Sequence, residues 1–162
     1  MERIVMDSLL VEYRHYLQYG IFAALSVFAW FRGEDPEKQI GLVFIAAIVL
    51  QVVYRQFAPE SPSRDIEVPY LVLDCLMFVA FASIAMRANR TYPLWILAAQ
   101  LIAVIMHFQR GILEEMAPLA YWALIRLPSY LQMLAFAIGL WAQDRRRKRG
   151  IAGRPWRRTS AR

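Results

Sequence analysis

The sequence predicts an all-α protein, an integral membrane helical bundle of about five transmembrane helices, and three observations predict it. Apolar residues make up 59% of the 162 residues, against roughly half in an ordinary soluble domain. They fall in long runs, with almost none of the strict alternation of half-buried strands. The segments between the runs are short, charged and rich in Pro and Gly, too small to hold a second soluble domain. The distribution decides more than the percentage does, because runs near the ~20 residues a bilayer requires are the membrane signature.

Residues 1–15 are amphipathic, with Asp7-Ser8 placed to cap a helix start. Glu2, Asp7 and Glu12 precede the first run, and no small-residue cleavage pattern follows it. The first helix is therefore expected to stay in place rather than leave as a signal segment. The first span is about 16–31 and is short, so its helix is expected to begin upstream, near Leu9; Arg32-Gly33-Glu34-Asp35-Pro36 ends it. The second span is about 40–57. The connection after it carries Pro59 and Pro62 among charges. Val68-Pro69 opens the third span, about 68–86, with Pro tolerated in a first turn. Thr91-Tyr92-Pro93 opens the fourth, about 92–109, with Thr91 as the cap. The fifth span, about 119–142, contains Pro128, where a kink or local break is expected.

The charge is unevenly placed. Residues 144–162 hold Asp144 against nine basic residues and carry +8, so with a whole-chain charge of +6 the remainder carries −2. The chain thus divides into a membrane domain, 1–143, and a basic tail, 144–162, read as cytoplasmic and disordered. A basic tail is not a basic folded face, which argues against nucleic acid as a partner. It also sets the orientation. With the tail inside, thirteen Lys and Arg lie on the inner side and five on the outer, so the N-terminus is expected outside. Trp30, Tyr54, Tyr70, Tyr92, Trp95 and Trp141 fall near span edges, where amphipathic rings sit at the head-group level.

Polar side chains within spans carry the functional argument, because a charge at a helix centre costs about 2.5–3.5 kcal/mol on insertion scales. Asp74, His107 and Arg126 fall at one depth, in the outer half, on three different spans. Gln100 and His107 are seven apart and share a helical face. These four residues form the expected intramembrane polar cluster, with an Asp74–Arg126 ion pair as its centre. Gln51 and Arg55 share a face, as do His15, Tyr19 and Ser26, and Gln132 is a further interior candidate. The pairs Ala99/Ala103 and Ala135/Gly139 give small-residue packing surfaces. Cys75, alone, reads as a small packing residue.

Catalytic signatures are missing: no Gly-rich phosphate loop, no serine elbow and no paired catalytic carboxylates are found in the sequence. No metal is expected, since the His and Cys spacings of a zinc site are absent. Haem would require His15 and His107 on facing helices at equal depth. In the tail, Arg145, Arg146, Arg147, Lys148 and Arg149, with Trp156 inserting at the interface, are candidates for binding anionic lipid head groups.

Several of these residues carry a resemblance: Asp74 within an apolar helix, Tyr92-Pro93-Leu94-Trp95 at a helix start, Gln100 with His107, Ala120-Tyr121, Pro128-Ser129-Tyr130 in a displaced position, and Gly139-Leu140-Trp141 before a basic end. They make the second half of the chain resemble a group of uncharacterised small polytopic membrane proteins of alphaproteobacterial type. The resemblance implies a multi-pass protein of the bacterial inner membrane and implies no mechanism. Three function classes then stand in descending order. The first is a non-catalytic accessory or partner-binding subunit of a larger membrane complex. The second is a small homo-oligomeric transporter or channel-like protein using the Asp/His/Arg cluster. The third is a membrane haem protein or enzyme.

Overall fold

A computed structural model describes residues 2–57, 68–109, 118–150 and 156, with side chains at 16–57, 68–108, 126–150 and 156. The described chain forms five helices: α1 (Glu2–Arg32), α2 (Asp35–Phe57), α3 (Val68–Arg87), α4 (Tyr92–Gln109) and α5 (Pro118–Lys148). Each packs against its neighbour in sequence, and α1 packs against α5, so the helices close into an up-and-down ring. The α1–α2 turn, the α3–α4 turn and the end of α5 share one end of the bundle, called here the tail end.

Local chemistry sets the helix boundaries. Gly33 N–H donates to the Ala29 carbonyl at 2.8 Å and closes α1. A Cβ at Gly33 would lie 2.5 Å from that carbonyl oxygen and 2.6 Å from Glu37 Cβ, so this approach of two helices requires glycine. α2 then starts with acidic residues Asp35 and Glu37 in its first turn, which the helix dipole favours, and with Pro36, which needs no donor there. The Glu37 carboxylate reaches back to accept from Glu34 N–H at 3.0 Å, one half of a capping box. α3 opens on Val68-Pro69 and α4 directly after Thr91, both where the sequence places them.

Two boundaries differ from expectation. α1 is helical from Glu2, not from Leu9, so Asp7 and Ser8 lie inside a helix rather than at its cap. α5 extends to Lys148, six residues past the expected end, and runs through Pro128 without a break. Asp144 and Lys148, four apart and 2.6 Å from each other, support the added turn. Gly150, at φ 66°, then stops it in the left-handed conformation that suits a helix C-terminus. The first five residues of the expected disordered tail are therefore helical.

Phe44 of α2 is the hub of the core. Its ring lies 4.5 Å from Phe22 of α1, 5.2 Å from Phe81 of α3 and 5.5 Å from Phe136 of α5, centroid to centroid. The tilted geometries are those aromatic pairs prefer. Ile96 and Ala99 of α4 complete the layer. The outside of the ring is apolar: Phe31, Leu42, Phe57, Leu76, Val79, Trp95 and Leu134 are all well exposed. α2 and α3 are long and apolar enough to cross a membrane, and α4 carries a shorter apolar stretch, Tyr92–Phe108.

Candidate functional site: two interior polar clusters

Polar side chains gather inside the ring at two levels, one on each side of the phenylalanine layer. Towards the end opposite the tail, α3 presents Asp74, α4 presents Gln100 and His107, and α5 presents Gln132. His107 Nε2 lies 2.7 Å from Asp74 Oδ2. Gln100 Nε2 donates to Asp74 Oδ1 at 3.0 Å and to the Asp74 carbonyl at 3.1 Å. Its own Oε1 accepts from Gln132 Nε2 at 2.5 Å. Gln100 is 1% exposed and Gln132 is also buried. A buried amide without partners costs about 1–3 kcal/mol, and here each amide orients the next. The result is a hydrogen-bonded chain, His107–Asp74–Gln100–Gln132, across three helices.

Of the expected cluster, Asp74, Gln100 and His107 meet directly. The two carboxylate oxygens of Asp74 face Gln100 and His107. Arg126, at the level of the sequence-predicted ion pair, is half-buried on α5 and engaged. The His15 side chain lies outside the described residues, so the bis-His geometry is not described. His107 turns Nε2, the ring nitrogen that most readily reaches a haem iron, to Asp74. No group of three or more His, Cys, Asp or Glu suited to a metal occurs among the described residues. On the same half of the bundle, Tyr19 O–H donates to Gln51 Oε1 at 2.9 Å and ties α1 to α2. Ser26 is buried over Gly41 of α2, and its hydroxyl has no hydrogen-bond partner in the structure. Cys75 is exposed on α3 rather than packed in the core.

The second cluster, at the tail end, was not foreseen from the sequence. Glu37 is 0% exposed. Its Oε1 accepts from Tyr92 O–H at 3.1 Å and lies 3.4 Å from Arg90 Nε. Arg90 also reaches Glu34 Oε2 at 2.5 Å and donates to Gln143 Oε1. Gln143 Nε2 donates to Glu34 Oε1 at 2.5 Å. Every carboxylate oxygen of the two glutamates therefore has a donor. The α1–α2 turn, α2, the α3–α4 turn, α4 and α5 are joined through one guanidinium, one amide and the Tyr92 hydroxyl. A signal for it was available: in an up-and-down bundle the acidic first turn and the basic third turn share an end. Gly139 seats the ring, since a Cβ there would stand 2.6 Å from Tyr92 Cγ. Its small size thus serves packing within the chain.

The tail borders this second cluster. Asp144 takes Lys148 at 2.6 Å and Arg32 at 3.7 Å. The hydrogen bond from Lys148, with the further positive field of Arg32 and Arg147, holds the Asp144 carboxyl below the usual carboxylate range. Arg145 stacks its guanidinium 4.1 Å above the Trp141 ring. Arg146, Arg147, Lys148 and Arg149 are exposed. Trp156 is half-buried, forms a single bridge to Ala88, and directs Nε1 towards Asp35 Oδ2 at 3.3 Å. It packs against the core of the bundle, so the aromatic residue expected at the lipid interface lies on protein. Compared with protein-family models, with curated proteins and with solved structures, the chain matches none of them.

Proposed function

We propose that this chain is a multi-pass membrane protein of five spans, N-terminus outside and basic tail inside, that serves as a non-catalytic, partner-binding subunit of a membrane assembly. One observation carries the reading: the outside of the bundle is as apolar as its core, and polar groups are buried within that core. The buried polar groups have partners within the chain, Gln100 with Gln132 and Asp74, Gln143 with Glu34 and Arg90, and Glu37 with Tyr92 and the Glu34 N–H, while large apolar side chains cover the outside. In hydrocarbon, interior polar groups join helices that no hydrophobic effect would drive together. The same groups are already committed to each other, which suits a scaffold better than a catalyst. The resemblance to small polytopic proteins of alphaproteobacterial type supports a bacterial inner membrane as the location.

Topology and role are tested together. Single cysteines introduced at positions 2, 34, 113 and 160 in a Cys75→Ser background should label from outside at 2 and 113 only. Gentle detergent extraction should yield the chain with a second protein in fixed stoichiometry, which a mass inventory identifies. Reversed labelling overturns the orientation. A homo-oligomer with no second component overturns the subunit role.

A second reading rests on a separate observation. The Asp74–His107 pair is 18–24% exposed at its side chains and opens onto a buried amide chain. That arrangement suits a proton-accepting site in a small transporter or channel-like oligomer. Proton flux in liposomes that disappears with Asp74→Asn would favour it over the scaffold.

A further inference from the structure

We propose that the outer face of α5 is a binding site for one anionic phospholipid, with Arg145, stacked on Trp141, holding the phosphate. The proposal rests on the membrane reading above and adds a specific ligand to it. Leu127, Leu131, Leu134, Ile138, Trp141 and Arg145 follow one another at alternating steps of four and three residues, which lines them along one face of a helix. The first five are exposed, Trp141 at 57%. From Leu127 to Ile138 the stripe rises about 16 Å at 1.5 Å per residue. Half of a ~30 Å hydrocarbon core is about 15 Å, so the apolar stripe matches one acyl leaflet. Trp141 then falls at the head-group level, where an indole is favoured, and Arg145 lies one turn beyond it.

Charge chooses the occupant. Asp144, the acid on this turn, is taken by Lys148 and Arg32. Arg145 instead lies against the indole at 4.1 Å, a cation–π contact that fixes the guanidinium in place and leaves its N–H edge for a phosphate. A zwitterionic lipid brings an ammonium into the same basic surroundings; a lipid with a net negative head group does not. The tail tryptophan is held on Asp35 and the core, so Trp141 is the ring placed to do this.

The test uses the full chain, purified in mild detergent and stripped of lipid, then offered equal dioleoyl phosphatidylglycerol and dioleoyl phosphatidylcholine and read by native mass spectrometry. The wild type should retain phosphatidylglycerol several-fold better. Arg145→Gln should lower that retention about fivefold, the effect of one basic residue near an anionic surface, and leave phosphatidylcholine unchanged. Trp141→Leu, which keeps the apolar surface, should lower it in the same direction. Arg146→Gln, on another face, should retain the wild-type preference. Equal retention of the two lipids by the wild type overturns the proposal, as does an Arg146→Gln loss equal to that of Arg145→Gln. Disulfide cross-linking of Ile138→Cys between copies in a Cys75→Ser background also overturns it, because the stripe is then covered by protein. Alkaline carbonate extraction reads the membrane reading separately: a chain that stays in the pellet without lipid preference fails only here, and one released to the supernatant fails there.

Discussion

Tyr92 lies flat against Gly139, with ring carbons 2.6–2.8 Å from where a Cβ would stand, while its hydroxyl donates to the buried Glu37. The contact couples packing between α4 and α5 to the polar cluster at the tail end. Gly139→Ala should displace the ring and lose the hydrogen bond, at about 1–3 kcal/mol, the usual range for overpacking. Tyr92→Phe removes a hydrogen bond to a buried carboxylate and should cost about 1.5–3 kcal/mol. Denaturation in mixed micelles should show the double variant losing less than the two single losses added, because the first substitution already removes what the second deletes.

Arg90 is the cation shared by Glu34 and Glu37. Removing it leaves two carboxylates, one of them fully buried, without their counter-charge. Arg90→Gln should cost about 3–5 kcal/mol, the range for breaking a buried pair from one side. Glu34→Gln should cost less, since Glu34 is partly exposed and an amide still accepts from Gln143. The order of the two midpoints in the same denaturation assay checks the assignment.

Legibility of the fold followed periodicity and punctuation. Runs of apolar residues and the Gly-Glu-Asp-Pro, Val-Pro and Thr-Tyr-Pro signals located α2, α3 and α4 within a few residues. The end of α5 was missed because Asp144–Lys148 reads as a charge run, although a carboxylate four residues before an ammonium is a helical pair and Gly150 is a stop. At the site, seven-residue spacing placed Gln100 and His107 on one face, and depth placed Asp74 beside them. The carboxylate oxygens of Asp74 meet a histidine and an amide of the next helix, partners that formal charge alone does not single out. The Glu34–Arg90–Gln143 cluster is less legible, because its members lie more than 50 residues apart and meet only where alternate turns share one end of the bundle.

Ser26 buries a hydroxyl without a partner at the α1–α2 contact. A buried donor left unmade costs about 1–3 kcal/mol, and Ala removes it while keeping the Cβ that packs on Gly41. Ser26→Ala is expected to raise the denaturation midpoint or leave it unchanged. A clear fall would mean that the hydroxyl makes a stabilising hydrogen bond within the isolated bundle.

The Asp144 carboxyl is held below its ordinary value by Lys148 first. A depressed folded-state value means that the contribution is fully present above the unfolded carboxylate value of about 3.9 and is lost as pH falls through the lower folded one. Amide hydrogen exchange at Arg147–Gly150 should therefore quicken on acidification below that value, relative to the intrinsic rates. Asp144→Asn should show the quickened exchange at neutral pH and lose the acid step.

His107 and Asp74 join α4 to α3 at 2.7 Å in a setting that is neither dry nor open. Fully exposed pairs couple by less than about 1 kcal/mol, and residues in one hydrogen-bond network by about 0.5–3 kcal/mol. A double-mutant cycle with Asp74→Asn and His107→Gln should fall above the first range and within the second, at about 1–2 kcal/mol. In the Asp74→Asn variant the amide oxygen of the new side chain still accepts from Gln100, so the measured term isolates the His107 contact from the amide chain. Strictly additive losses would show that the histidine contributes packing alone, and would remove the observation on which a proton-handling role for this bundle depends.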